Sequence, residues 1–264
     1  MRKIVLFLSC LITISLFSCA EKESPWQQVF NGENLDNWEK YLGPAFKGHE
    51  DLAETATPEN VFSVCDLDGE SVIHISGEVF GSLATKESFS NYHARIVMKW
   101  GEKETTNFNC GLLYHSHGPM GASFDTFMSS IECQLKHGQM GEVFMIGTDV
   151  LLDAKTDESD GKFVYNEKAP VHSIGAKNNV RMISIRESAE NPVGEWNTVE
   201  IYCVGQESVH VVNGKVVMRT SNLQYEKDGK MVPLTGGRIQ LQSEGGELYV
   251  KSVEVRPITK IPAL

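Results

Sequence analysis

The sequence lacks the clustered lysines and arginines that a nucleic-acid-binding surface needs. It has 24 basic and 35 acidic residues, a net charge of −11, and no basic run. Nucleic acid is therefore not expected as a partner, because phosphate backbones are bound through clustered positive charge. The sequence also has no low-complexity tract and no internal repeat, and its apolar fraction of 41% is ordinary for a globular protein.

Two motifs of common enzyme and metal-site classes are also missing. Without a Gly-x-Ser-x-Gly turn, nothing indicates the nucleophile of an α/β-hydrolase. Without a Cys-x-x-Cys pair, a structural zinc site of that type is not indicated. Four cysteines follow the N-terminal segment, and their even number permits two disulfides in an exported protein, although apolar surroundings favour buried free thiols. They are Cys65, Cys110, Cys133 and Cys203.

The N-terminus has the pattern of an export signal. Arg2 and Lys3 precede an apolar run over 4–17, which ends in Leu16-Phe-Ser-Cys19. This resembles a bacterial lipoprotein signal, with 1–18 removed, Cys19 lipidated and 19–25 a charged leader. An ordinary signal peptide is the alternative, and a transmembrane helix needs a run of about 20 residues. We expect a lipid-anchored protein of the outer membrane, on its periplasmic or cell-surface face, because the acidic leader resembles Bacteroidetes surface-export signals.

Removal of residues 1–18 takes away two basic residues and no acidic one, so the net charge of the mature chain becomes −13. The membrane is then expected as a partner through the lipid alone.

Strand signals recur along the mature chain, while helical signals are few. The clearest is Asn213-Gly214 between two apolar runs, which predicts a type I′ hairpin. Many short antiparallel strands favour a jelly-roll β-sandwich in a single domain over 26–257, with a tail over 258–264. Weak helical signals lie at 50–56 and 123–129, and 149–179 is interpreted as a long insertion. The strands are predicted at 61–64, 71–75, 93–100, 111–115, 130–135, 143–146, 180–186, 198–204, 208–212, 215–219, 238–242 and 247–256.

Three predicted strands carry polar residues at every second position. Successive strand side chains point to opposite faces, so members of each set share a face, backed by an apolar face such as Leu112 with Tyr114. Imidazole, amide and carboxylate groups hydrogen-bond sugars and move protons, which favours a cleft. The sets are His115 and His117; Glu132, Gln134 and Lys136; and Gln240, Gln242 and Glu244.

Other interpretations of these positions stay open. Each strand taken alone is consistent with a solvated outer face. His115, His117 and Glu132 are candidate ligands of a divalent metal ion, since a His-x-His pair with a carboxylate can bind zinc. Glu132 with Glu142, or Glu132 with Glu244, could form an acid/base pair of the glycosidase kind.

The order and spacing of several motifs resemble the 3-keto-disaccharide hydrolase domain family, over nearly the whole mature chain. These motifs are Val29-Phe-Asn-Gly-Glu-Asn-Leu-Asp-Asn-Trp38, Asn109-Cys-Gly-Leu-Leu-Tyr-His115, Ile131-Glu-Cys-Gln134, Gly141-Glu142, Gly194-Glu-Trp-Asn197, Asn213-Gly214 and Gly237-Arg-Ile-Gln-Leu-Gln-Ser-Glu-Gly245. The resemblance implies a concanavalin A-like sandwich that acts on glycosides whose sugar is oxidised to a 3-ketone. Cys110 and the loop His137–Glu142 depart from the commonest family pattern, which puts specificity or activity in question.

The chemistry implied by the resemblance needs a base, a stabiliser of an enolate oxygen and an acid for the leaving group. Glu132 is the candidate base or metal-holding carboxylate, and His115 is the candidate proton carrier or metal ligand. Gln134, Gln242 and Gln240 are candidate substrate-binding residues, and Glu142 and Glu244 are further candidate acids. Whether the outcome is hydrolysis or elimination is left open.

A carbohydrate-binding module without catalysis is the rival hypothesis, because lectin-like sandwiches bind glycans and fold does not determine function. Trp26, Trp38, Trp100 and Trp196 are available as stacking platforms in that case.

Overall fold

A computed structural model describes residues 24–175 and 180–264. The expected signal peptide and the expected lipidation site, Cys19, lie outside the described residues. The protein is a sandwich of two antiparallel sheets, which confirms the predicted concanavalin A-like jelly roll. Two short helices, α1 (Glu50–Thr55) and α2 (Pro58–Val61), are the helical elements of the described part.

The larger sheet has twelve strands within the described residues. In spatial order they are β12 (Lys162–Tyr165), β11 (Val150–Ser159), β17 (Lys215–Lys227), β16 (Glu207–Val212), β15 (Asn197–Val204), β7 (Tyr92–Glu104), β20 (Gly246–Pro257), β4 (Glu70–Ile75) and β3 (Phe62–Leu67), with β1 (Gln27–Gln28) on β20, β13 (Val171–Gly175) on β11 and β18 (Lys230–Pro233) on β17.

The smaller sheet has eight strands within the same ranges. In spatial order they are β14 (Met182–Ile183), β10 (Val143–Ile146), β9 (Ser129–Gln134), β8 (Gly111–His117), β19 (Gly236–Ser243), β5 (Gly81–Thr85) and β2 (Trp38–Leu42), with β6 (Phe89–Ser90) on β19.

The main core lies between the sheets and is filled by alternate residues of their strands. On β8 and β9, for example, Leu112, Tyr114, Ile131 and Cys133 are fully buried there. Leu113 points the other way and forms a separate small cluster with Phe127 and Ile146. The smaller sheet therefore has a second face that is covered in part by the segment 118–128, which includes Phe127.

Several local expectations are confirmed. Asn213 and Gly214 both have positive φ, 48° and 78°, and join β16 to β17 in a hairpin. Helix α1 occupies the first weak helical segment. The four cysteines are free, and three are buried while Cys65 is partly exposed.

Two local expectations are wrong. The region 149–179 was expected to be an insertion, but its described part forms β11, β12 and β13, because β11 alternates buried and exposed residues and pairs with β17. The segment 123–129 is not helical: Ser123 bridges to Phe127 around a tight turn.

Candidate active site

The polar residues of β9 and β19 meet on the outer face of the smaller sheet. In one row across the strands, Glu132 pairs with Leu113, and Leu113 pairs with Gln240. In the next row, Gly111 pairs with Gln134, and on its other side it neighbours Gln242, since Leu112 lies opposite Leu241. The alternation within β9 and β19 is therefore as the sequence predicts, and both strands present their polar residues to the same face.

Gly111 provides the space in which two of these side chains converge. A Cβ at this position would lie 2.3 Å from Glu132 Oε1 and 2.4 Å from Gln242 Oε1. Any larger residue would push the carboxylate or the amide away, because atoms do not approach so closely without a bond. The missing side chain thus allows Glu132 and Gln242 to approach the same point above the strand.

Four polar atoms around Gly111 are buried and have no hydrogen-bond partner among the described residues. They are Glu132 Oε1, both amide atoms of Gln242, and Oδ1 of Asn109. The Oε1 atoms of Glu132 and Gln242 are both acceptors and cannot bond each other; with the two ends of the Gln242 amide exchanged, its Nε2 donor would face Glu132 Oε1 instead. An unsatisfied buried polar group costs about 1–3 kcal/mol, so Glu132 Oε1 and the Gln242 amide, which converge above Gly111, are candidate groups for binding a ligand.

The carboxyl groups of Glu132 and Glu244 influence each other. Burial raises the pKa of Glu132 well above its ordinary value, and the charge of Glu244 raises it further. Burial also raises the pKa of Glu244 to about 7, against the nearby positive charge of Lys136. A pair of this kind holds a proton near neutral pH, which suits acid/base chemistry.

Gln134 and Glu142 lie at the β10 side of the same region. Gln134 Oε1 accepts the backbone N–H of Lys136 at 2.8 Å. Glu142 accepts from the Gln139 amide at 3.2 Å and from the Ile185 N–H at 3.4 Å, and burial raises its pKa. Glu142 is therefore held in place by protein partners, unlike Glu132 Oε1.

Gln240 lies on the same outer face as Glu132, but both ends of its amide are hydrogen-bonded within the protein. Its Oε1 accepts from the Ser82 hydroxyl at 2.8 Å and from the Met128 N–H at 3.1 Å. Its Nε2 donates to the Ser116 hydroxyl at 2.8 Å. The structure thus places Gln240 as a buried link between β5, β8 and the segment 118–128, rather than as a free sugar-binding amide.

The expected pairing of His115 and His117 on the Glu132 face is wrong. A bulge interrupts β8 between Tyr114 and His117, and His115 has a left-handed φ of 53°. The His115 ring is fully buried on the core side, edge-on to the rings of Tyr92 and Tyr114. Burial lowers its pKa to about 3, so the imidazole stays neutral there.

His117 lies in a different cluster, where its Nε2 is 2.8 Å from Asp149 Oδ2. Across 24–175 and 180–264, no three His, Cys, Asp or Glu side chains are arranged to hold a metal ion. The proposed ligand set of His115, His117 and Glu132 is therefore not brought together.

Sequence reasoning missed two kinds of residue. Asn109 lies two positions before Gly111, so extending the alternation by one step would have included it. The exposed aromatics are also different from those expected: Trp38 and Trp100 are buried in the core, whereas Phe124 and Tyr41 are 53% and 37% exposed. Trp26 is covered by two guanidinium groups, of Arg95 and Arg256.

Comparison with known proteins agrees with the jelly-roll architecture. The sequence profile of the 3-keto-α-glucoside-1,2-lyase-like domain matches residues 25–256. The chain belongs to this family, also called the 3-keto-disaccharide hydrolase domain family, which confirms the resemblance noted from the sequence. No curated protein matches the chain significantly.

Similar solved structures support the fold. Two candidate glycosyl hydrolases from Parabacteroides distasonis are 19% and 17% identical, with TM-scores of 0.52 and 0.50. The alignments cover 88% and 89% of this chain and 94% and 100% of those proteins. A structure from work on endo-acting O-glycanases of the human gut microbiota is 14% identical with a TM-score of 0.50, over 90% of this chain and 100% of that one. At these identities the likeness concerns the fold alone.

Proposed function

We propose that the protein cleaves 3-keto-glycosides, including 3-keto-disaccharides, by acid/base chemistry on the outer face of the smaller sheet. The observation that carries the proposal is the convergence of Glu132 and Gln242 above Gly111, with their polar atoms buried and unpaired. Family membership supports the substrate class.

Glu132 is the base in this proposal. The ketone at C3 makes the C2 proton acidic, and the Glu132 carboxylate removes it, leaving the electron pair of the C2–H bond in an enolate. Glu132 and Glu244 titrate as a pair, and the reactive form is the one in which Glu244 holds the proton and Glu132 is ionised. In that form the buried Glu132 carboxylate is a stronger base than one in water. Gln242 Nε2 donates to the enolate oxygen at C3, and its donor is not engaged elsewhere in the described protein.

Glu244 is the acid in this proposal. As the ketone re-forms, the electrons move to a new C1=C2 bond, the C1–O bond breaks, and the departing oxygen takes its electron pair and a proton from Glu244. With a pKa of about 7, Glu244 keeps its proton in a large share of molecules at neutral pH. The elimination product is an unsaturated 3-keto sugar, and addition of water across its double bond completes a net hydrolysis.

Binding without catalysis is the second candidate, and the raised pKa of Glu132 is the observation that favours it. A carboxyl group that keeps its proton donates a hydrogen bond to a sugar hydroxyl instead of removing a proton. The same unpaired Gln242 amide could then bind a second hydroxyl.

Glu132→Gln separates the two functions. We expect the wild type to exchange the C2 proton of a 3-keto-α-glucoside for deuterium in heavy water and to release the aglycone. The variant should lose aglycone release by about 10²–10⁴-fold, because no base remains, while keeping most of its affinity. Glu158→Gln, an exposed carboxylate on β11, is the matched control and should act as the wild type does.

The catalytic proposal is contradicted if the wild type releases nothing from 3-keto-glucosides, with or without divalent metal, and yet binds sugar as tightly as Glu132→Gln does. That result would identify a binding module.

A further inference from the structure

Phe124 occupies a backbone position that is unfavourable for its side chain. It and Asp125 are the central residues of a turn closed by a hydrogen bond from the Thr126 N–H to the Ser123 carbonyl at 3.1 Å. Their φ angles are 54° and 52°, as in a type I′ turn, where asparagine and glycine are preferred. A phenylalanine at positive φ is strained, and strain of this kind persists where the surroundings or a function require it.

The Phe124 ring gains little burial to offset that strain, since the residue is 53% exposed. Its ring is faced by the guanidinium of Arg181, 5.7 Å from the ring centre. By contrast, Phe127 of the same segment packs into the small cluster with Leu113 and Ile146. Folding thus explains why Phe127 is aromatic, but it does not explain Phe124.

The segment that carries Phe124 lies against the candidate site. Its Met128 N–H donates to Gln240, in the row of Glu132. At the edge of that row, Phe144 pairs with Glu132 and Met182 pairs with Phe144. Met182 is 41% exposed, and the Arg181 carbonyl next to it accepts the Met145 N–H at 2.8 Å. Phe124 faces Arg181, and Arg181 precedes Met182, so these three residues mark a partly apolar rim at the β14 end of the row, two strands away from Glu132.

We propose that this rim is a subsite for a flat aromatic aglycone of the 3-keto-glucoside, with Phe124 as its specificity-determining residue. The inference rests on the proposed function and specifies its substrate class. The buried, unpaired Glu132 and Gln242 hold the sugar, and the aglycone leaves toward the rim. A second sugar could stack on Phe124, but the Arg181 guanidinium is the one hydrogen-bonding side chain among these three residues, so most of its hydroxyl groups would have no protein partner there. An aromatic aglycone uses the apolar surface of phenylalanine and methionine and the cation of Arg181 together.

Phe124→Asn tests the subsite, with Asp125→Asn as its control in the same turn. The substrates are phenyl and methyl 3-keto-α-glucoside. Phe124→Asn should raise KM for the phenyl substrate roughly three- to tenfold and leave KM for the methyl substrate within about twofold, because it removes one aromatic contact. Asp125→Asn should leave both unchanged. Phe124→Asn should also raise Tm, since asparagine tolerates positive φ. Equal effects on the two substrates, or none, would overturn the subsite.

Failure of the subsite can be told apart from failure of the catalytic proposal by measuring binding of the unoxidised phenyl and methyl α-glucosides by calorimetry. Suppose that neither 3-keto-α-glucoside is cleaved, but the wild type binds phenyl α-glucoside more tightly than methyl α-glucoside and Phe124→Asn loses this preference. The subsite is then supported and the catalytic proposal is contradicted. If both 3-keto-α-glucosides are cleaved, and neither KM nor calorimetric binding shows a preference for the phenyl compound, the subsite is contradicted and the catalytic proposal is not.

Discussion

Two buried glutamines on one strand differ in their hydrogen bonds: the amide of one has protein partners, and the amide of the other has none among the described residues. Gln240 and Gln242 are both on β19, both buried, and both on the outer face. Gln240 is bonded to Ser82, Ser116 and the Met128 N–H, whereas neither end of the Gln242 amide has a protein partner among the residues described. The first amide serves the fold, and the second has hydrogen-bonding capacity that the fold does not use.

This contrast predicts opposite effects of the same substitution. Gln240→Ala leaves buried donors unpaired and should lower the free energy of unfolding by about 1–3 kcal/mol. Gln242→Ala leaves no protein group unpaired, so its stability should stay close to that of the wild type, while kcat/KM for a 3-keto-glucoside should fall about 10²-fold or more with the loss of the enolate donor. Chemical denaturation and initial rates measure the two quantities. A stability loss in Gln242→Ala equal to that in Gln240→Ala would show that its amide also serves the fold.

At the scale of elements, alternation in the sequence predicted two of the three site strands. It succeeded for β9 and β19 because both are regular where Glu132, Gln134, Gln240 and Gln242 lie. It failed for β8 because the bulge after Tyr114 reverses the direction of the next side chain. No glycine marks the bulge, since His115 itself takes the left-handed conformation, and the sequence therefore carries no local signal of it.

The remaining errors have similar causes. Gln240 and Gln242 look alike in the sequence, because the partners that separate them come from distant positions such as Ser82 and Met128. The polar composition of 149–179 predicts an insertion, although Val150, Leu152 and Ala154 alternate as the buried positions of a strand do. The alternation that indicates β11 is therefore visible in the sequence, whereas the difference between the two glutamines arises only from tertiary contacts.

At the scale of the whole molecule, the N-terminal segment predicts a lipid anchor. No helix within the described residues is long and apolar enough to cross a membrane. The family match begins at residue 25, directly after the expected leader. We expect a radiolabelled fatty acid to be incorporated into the wild type in bacterial cells and not into Cys19→Ser, because the acyl chains attach at that thiol. Cys10→Ser, within the expected signal peptide, is the control and should be labelled as the wild type is. Equal labelling of the wild type and Cys19→Ser would contradict the anchor.

The stability of the whole fold should depend on pH through two sets of buried groups that act in opposite directions. Burial lowers the pKa of His115 to about 3 and that of His210 to about 4, from 6.5. The unfolded chain then binds more protons than the folded one below about pH 6.5, so these histidines make stability fall as the pH drops towards 4. The pKa values of Glu132 and Glu244 are raised above 4.5, so their contribution is complete below pH 4.5 and decreases as the pH rises, and the part from Glu244 is lost as the pH passes its folded-state pKa of about 7.

Two variants should reveal these contributions separately. His115→Phe keeps a ring against Tyr92 and Tyr114 but cannot titrate, so its Tm relative to the wild type should rise as the pH falls from 6.5 to 4. Glu244→Gln removes a carboxyl that resists ionisation, so its relative Tm should rise as the pH increases from 4.5 to 7 and then stay level. Calorimetric scans across pH 4–8 measure both differences. The two relative Tm values should change with pH in opposite directions, because His115 binds its proton more weakly in the folded protein than in the unfolded chain, whereas Glu244 binds its proton more tightly. Differences in Tm that do not change with pH would mean that neither group titrates abnormally in the folded protein.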